Sequence, residues 1–178
     1  MLSSLFGRGQ RRQAVAAAYH RIVERARAAA FFTLWGVPDT LDGRFEVLAL
    51  HAFLVLNRLK AAHAETADFA QQLFDTMFAD LDRALREMGA SDLGVGRHVK
   101  DMARGFYGRA LAYERGLAGD DAVLSEALQR NLFATAPATA AVAGAARYVR
   151  RQAAALAQMP TSALLAGEIS FAPMEDAR

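Results

Sequence analysis

Cysteine is absent from the 178 residues, which excludes disulfides, thiolate metal ligands and cysteine nucleophiles together. Histidine is scarce, and His20, His51, His63 and His98 fall in neither Glu-x-x-His nor His-x-x-x-His spacing, the patterns that build metal sites on helices. There is no P-loop and no Gly-x-Ser-x-Gly elbow, and Gly94-Val95-Gly96 lacks the flanking strand of a nucleotide fingerprint. No apolar run reaches the roughly 18 to 20 residues a membrane span needs, and Leu2 to Phe6 is too short for a signal-peptide core. The expectation is a non-enzymatic chain without metal, cofactor, small-molecule substrate or DNA. It is expected in the cytoplasm, with the inner face of the cytoplasmic membrane as a peripheral location.

What is present favours helix. Hydrophobic residues make up 53% and charged residues 22%, a globular balance, and alanine is abundant while β-branched residues are few. The reading is all-α: a single compact bundle of about six helices over residues 11–172, with flexible ends at 1–10 and 173–178. The net charge of +2 conceals a partition along the chain. Residues 1–33 carry six arginines against Glu24 alone, residues 34–92 carry ten acids against five bases, and the rest carries ten bases against eight acids. Such segregation suits helix docking or a charged partner, and also ordinary solvated faces.

From Arg11 a helical stripe runs through Val15, Ala18, Ile22, Ala26 and Ala29, with Arg11, Arg21 and Arg25 away from it. Phe31, Phe32, Leu34 and Trp35 form an aromatic cluster expected to plug the bundle before Gly36 and Pro38 break the helix. Asp42 is the expected N-cap of a second helix, Arg44 to Ala61, apolar nearly all round and therefore central, with His51 as a hydrogen-bonded core histidine. A third helix spans Thr66 to Met88 and ends at Gly89. After a turn to Gly96, capped by Asp92, the fourth carries the seam Val95, Val99, Met102, Phe106, Ala110, Tyr113 and Leu117. Gly105 and Gly108 predict close helix approach, and Gly116 with Gly119-Asp120 ends the helix. A fifth helix, Ala122 to Phe133, precedes a sixth, Thr139 to Ala157, capped by Thr139 with a polar face of Arg147, Arg150 and Arg151. An extended strap follows, Gly167 to Phe171, pinned by Ile169 and Phe171.

The stretch Gln71 to Arg115 is densest in charged, aromatic and glycine positions. Asp80 and Asp82 are two apart on a helix and point away from each other, so they make no catalytic dyad. Asp82 and Arg86 make an i,i+4 pair. The candidate partner-binding set is Asp75, Asp80, Asp82, Arg86, Asp92, Lys100, Arg104, Tyr107, Gly108 and Arg109. Aromatics mixed with arginine serve protein interfaces or RNA stacking; the structural alternative puts Phe106 in the core, Tyr107 on the rim and Arg109 against an acid of the third helix. Arg8, Arg11, Arg12, Arg21 and Arg25 form a candidate basic N-terminal surface, suited to a ribosome, RNA or an anionic membrane.

Several ordered blocks resemble the ubiquinol-cytochrome c chaperone family over about Tyr19 to Phe171. They are Gly36-Val37-Pro38-Asp39-Thr40-Leu41-Asp42-Gly43-Arg44-Phe45-Glu46, Leu50-His51, Phe74-Asp75, Phe78-Ala79-Asp80, Leu85-Arg86-Glu87-Met88-Gly89, Asp92-Leu93, Val99-Lys100 and Phe106-Tyr107-Gly108-Arg109. Arg130-Asn131-Leu132 and Tyr148-Val149 continue the likeness more weakly. The turn Gly89-Ala90-Ser91-Asp92 departs from the family's usual Gly-Val-Gly-Asp. The resemblance implies an all-helical chaperone that binds newly made cytochrome b and hands it to the assembling cytochrome bc1 complex. Mitochondrial relatives also work with a small partner protein and the ribosome. Without a targeting presequence, and rich in alanine and arginine, this chain looks like a bacterial member. A ribosome- or RNA-associated factor and a peripheral membrane adaptor are the alternatives.

Overall fold

The computed structural model describes residues 2–89, 92–133 and 137–174, with the side chains of 2–6, 8, 92 and 93 left undescribed. Eight helical segments appear among the described residues: α1 Leu2–Ala26, α2 Ala30–Thr33, α3 Leu41–Lys60, α4 His63–Glu87, α5 Asp92–Ala118, α6 Asp121–Leu132, α7 Thr139–Ala157 and α8 Thr161–Leu165. Six are long and two are single turns, so the expected bundle is present. α3 is its axis and touches α1, α4, α5, α6 and α7. That position follows from its sequence: every residue from Ala49 to Val55 is buried, His51 included, which only a helix covered on all sides permits.

The helix ends differ from the sequence reading in instructive ways. α1 begins at Leu2 and not at Arg11: no proline interrupts the first turns, and the helix extends back from the stripe that packs between Ala14 and Ala26. Ala29 lies past its end and is exposed. Thr40, not Asp42, caps α3, its hydroxyl accepting from the Gly43 N–H at 3.1 Å, while Asp42 occupies the first turn, where a carboxylate favours the helix dipole. Gly36 and Gly89 take the left-handed conformation, with φ of 72° and 87°, as chain exits. Residues 90 and 91 lie outside the described residues. α5 is already helical at Asp92, so Gly94 and Gly96 are inside it and not in a turn. α7 starts after Ala138 without a side-chain cap, since Thr139 is its first helical residue.

Arginines close several helix ends. Arg58 donates to Leu156 O at 3.1 Å and Met159 O at 2.7 Å, satisfying carbonyls at the end of α7. Arg150 reaches Gly116 O, Leu117 O and Gly119 O at the end of α5 and pairs with Asp121 at 2.6 Å. The polar face of Arg147, Arg150 and Arg151 therefore includes a long-range cap. Close approach occurs at other glycines than foreseen. A Cβ on Gly108 would meet nothing within 4 Å and one on Gly105 only the Arg109 guanidinium, whereas one on Gly116 would lie 2.8 Å from the Leu124 Cα.

Phe31, Trp35, His51 and Tyr148 form a buried aromatic node with ring centroids 5.1 to 5.8 Å apart, while Leu34 points to solvent. His51 Nδ1–H donates to Val47 O at 2.7 Å, which leaves Nε2 to accept from the Tyr148 hydroxyl at 2.8 Å. Burial, opposed by the Val47 bond and aided by nearby Arg25, pulls the His51 pKa down to about 4. Below the ordinary value of 6.5 the unfolded chain takes up a proton that the folded chain refuses, so this group's contribution is complete above pH 6.5 and fades as pH falls towards 4. The expected loss across that window is about 3 kcal/mol. Urea midpoints measured from pH 7 to pH 4 should show it, and His51→Gln should flatten that part of the profile.

Candidate functional site

α4 and α5 pack as an antiparallel hairpin whose joint is aromatic. Phe74, Phe78 and Phe106 interlock, with centroids 4.6 Å apart for Phe74–Phe78 and 5.6 Å for Phe74–Phe106. Phe78 and Phe106 are buried and continue the core. Tyr107 lies outside them, 62% exposed, its ring 5.4 Å from Phe74. Beside it an apolar hollow of about 390 Å³ opens between α3, α4 and α5, lined by Phe53, Leu56, Phe74, Phe106, Tyr107 and Ala110.

The solvent face of α5 carries Arg97, Lys100, Arg104, Tyr107, Gly108, Leu111 and Arg115 at helical spacing. Arg104 pairs with Asp101 at 3.2 Å, both well exposed. Leu111 is 49% exposed, so this basic face presents two large apolar side chains to water. Leu111 is absent from the sequence-derived set. Its signal was available: it lies four residues after Tyr107 and off the seam from Val95 to Leu117, so both were bound to share the outer face.

The remaining candidates do not converge on that face. Asp75 is exposed and accepts from Gln71 at 2.8 Å. Asp80 faces α1, taking the Tyr19 hydroxyl at 2.8 Å and the guanidinium of Arg83. Burial and the Asp80 bond push the Tyr19 pKa upward. Asp82 pairs with Arg86 at 2.6 Å, as its spacing predicted, and that bond lowers its pKa. The Asp92 side chain lies outside the described residues.

Arg109 turns inward. It grips Glu46 of α3 with two hydrogen bonds, Nε to Oε2 at 2.6 Å and Nη2 to Oε1, and lies over the Phe45 ring at 5.6 Å. Its acid, Glu46, belongs to α3, the second helix of the sequence reading, and not to the third. The two side chains are 25% and 13% exposed. Burial pushes the Glu46 carboxyl up, Arg109 holds it down, and the Arg109 guanidinium is raised by the same bond. Arg109→Ala is therefore expected to cost about 1 to 3 kcal/mol by stranding a mostly buried carboxylate. Chemical denaturation of the variant checks this, and Glu46→Gln in the same background should recover part of the loss.

The N-terminal arginines are also dispersed. Arg11 pairs with Asp68 at 3.3 Å and Arg21 with Glu24 at 3.0 Å. Arg25 bends onto the C-terminal strap, Arg12 is exposed, and the side chain of Arg8 lies outside the described residues. A second hollow, about 720 Å³, lies between α1, α2, α3 and α4, with Phe32, Leu41, Leu48, Leu81 and Met88 on its walls and Arg27, Asp39 and Arg44 at its edge. Leu41 and Met88 are 44% and 59% exposed. Among the described residues no group of three or more His, Asp or Glu could hold a metal ion, and no helix is long and apolar enough to cross a membrane.

Comparison with known proteins gives a consistent picture. The profile of the ubiquinol-cytochrome C chaperone family matches residues 33–171. The crystal structure of the Cbp3 homolog from Brucella abortus is similar, with 36% identity, a TM-score of 0.84 and 99% of each chain covered. Ubiquinol-cytochrome-c reductase complex assembly factor 1 of Xenopus laevis is 30% identical over 65% of this chain and 58% of its own. Protein CBP3, mitochondrial, of Saccharomyces cerevisiae is 27% identical over 77% of this chain and 42% of its own. The chain spans about half the length of the curated relatives it matches.

Proposed function

We propose a function from the premise that this chain belongs to the ubiquinol-cytochrome C chaperone family. It acts as a non-enzymatic assembly chaperone for the cytochrome bc1 complex, binding newly synthesised cytochrome b or an early assembly intermediate. The observation that carries the reading is the likeness over nearly the whole chain to the Brucella Cbp3 homolog, together with relatives that are assembly factors for ubiquinol-cytochrome c reductase. The α5 face supports it physically. A client that has not yet reached its place in a membrane complex exposes apolar helices and polar loops, and Tyr107 and Leu111 among basic side chains offer both kinds of contact.

The dispersal of Arg11, Arg21 and Arg25 into contacts with the protein's own groups gives no support to a concentrated basic surface for ribosomal RNA or anionic lipid. A photo-crosslinking residue at position 107 or 111 tests the client face in cells. The expected adduct contains cytochrome b, and the same residue at position 12 should give far less. Equal cytochrome b adducts at all three positions, or none at 107 and 111, would reject the face.

A further inference from the structure

Past α8 the chain turns at Gly167, at φ 82°, where a Cβ would lie 2.3 Å from Ala14 O, and then runs to Met174 outside any helix or strand. The strap is held in an unusual manner. From Phe171 to Pro173 its backbone is held by side chains of α1 and α7. Gln152, fully buried, accepts from the Ala172 N–H at 2.7 Å and donates to its carbonyl at 3.1 Å. Arg25 donates to Phe171 O at 3.2 Å and Ala172 O at 2.9 Å, and Arg151 donates to Pro173 O at 3.2 Å. The Phe171 ring meets the His51 ring edge-on at 5.3 Å with the Arg25 guanidinium 5.6 Å from its centroid. A hollow of about 810 Å³ runs along the strap beside α1.

We propose that this is a binding site for an extended peptide segment that carries an aromatic side chain, occupied here by the chain's own Phe171-Ala172-Pro173. The receiving groups read main-chain atoms and one aromatic ring, so they accept any segment that supplies the same pattern. A helix cannot replace the strap, because its amides and carbonyls are already paired internally. An empty site forfeits both hydrogen bonds of the Gln152 amide, so another extended backbone that restores them can take the strap's place. The incoming partner is thus an extended stretch of an unfolded polypeptide, and strap exchange is the event by which it is captured. The proposal depends on the strap geometry and not on the identity of any client.

Full-length Phe171→Ala weakens the strap and leaves Arg25, His51, Arg151 and Gln152 in place. A fluorescently labelled peptide with the sequence of residues 168–174 should bind this variant at least about ten-fold more tightly than wild type, since self-occupancy reduces apparent affinity by the open fraction. Adding Gln152→Leu, or replacing the peptide's phenylalanine with alanine, should remove that binding. In the wild-type protein, excess peptide should speed hydrogen exchange at the Ala172 amide, a readout that holds even where Phe171→Ala fails to fold. A native-like Phe171→Ala protein that binds the peptide no better than wild type would overturn the proposal. So would an Ala172 amide whose exchange ignores saturating peptide.

Discussion

Gly43→Ala is expected to destabilise the protein by roughly 3 kcal/mol or more. A Cβ at that position would lie 1.9 Å from the Pro38 carbonyl oxygen and 3.0 Å from its carbon, and both belong to backbone that cannot swing aside. The segment from Gly36 to Gly43 must double back to enter α3, and it does so by laying the Pro38 peptide directly on the first turn of the helix. Relief would require moving Pro38 or the start of α3, which would break the Thr40 cap and shift Phe45 and Glu46. Glu46 is the anchor of Arg109, so the consequence travels to the α4–α5 hairpin. Thermal unfolding should show a clear drop in Tm for Gly43→Ala. Gly108→Ala should show little change or a slight gain, since nothing lies within 4 Å of its added methyl and alanine is the better helix former.

Adjacent aromatics on α5 should behave in opposite ways. Phe106 is 3% exposed and packed against Phe74 and Phe78, so Phe106→Ala is expected to cost about 3 to 5 kcal/mol through lost burial and a residual cavity. Tyr107 is 62% exposed, and Tyr107→Ala should stay within about 1 kcal/mol of wild type while reducing cytochrome b capture. Denaturation midpoints and client crosslinking, measured on both variants, separate the two roles. A Tyr107→Ala protein as unstable as Phe106→Ala would place that ring in the core and remove the outer face.

Periodicity carried much of the fold. The seam of α5 and the all-round apolarity of α3 correspond to buried or partly buried positions because a 3.6-residue repeat maps directly onto a helix face. The strap was legible for a similar reason: a proline ends the helical run, and Ile169 and Phe171 are apolar residues with nowhere else to pack. Cap identity was less legible. Thr40 and Asp42 are both good capping residues, and only the backbone path set by Gly36 and Pro38 selects the first. Long arginine side chains were least legible of all. Arg25, Arg58, Arg109 and Arg150 look like surface charge in one dimension, yet they reach carbonyls or carboxylates brought near by folding. Helical geometry in turn spread the candidate set, carrying Asp80 to α1 and Arg109 to α3 while joining Tyr107 to Leu111.

The most direct measurement is the content of assembled cytochrome bc1 complex in cells that lack this protein, with cytochrome b messenger quantified in parallel. The expected result is a large fall in assembled complex and in spectrally detectable cytochrome b at unchanged messenger, restored by the wild-type chain and only partly by Tyr107→Ala. Wild-type levels of the complex in the deletion strain would contradict a role in its assembly.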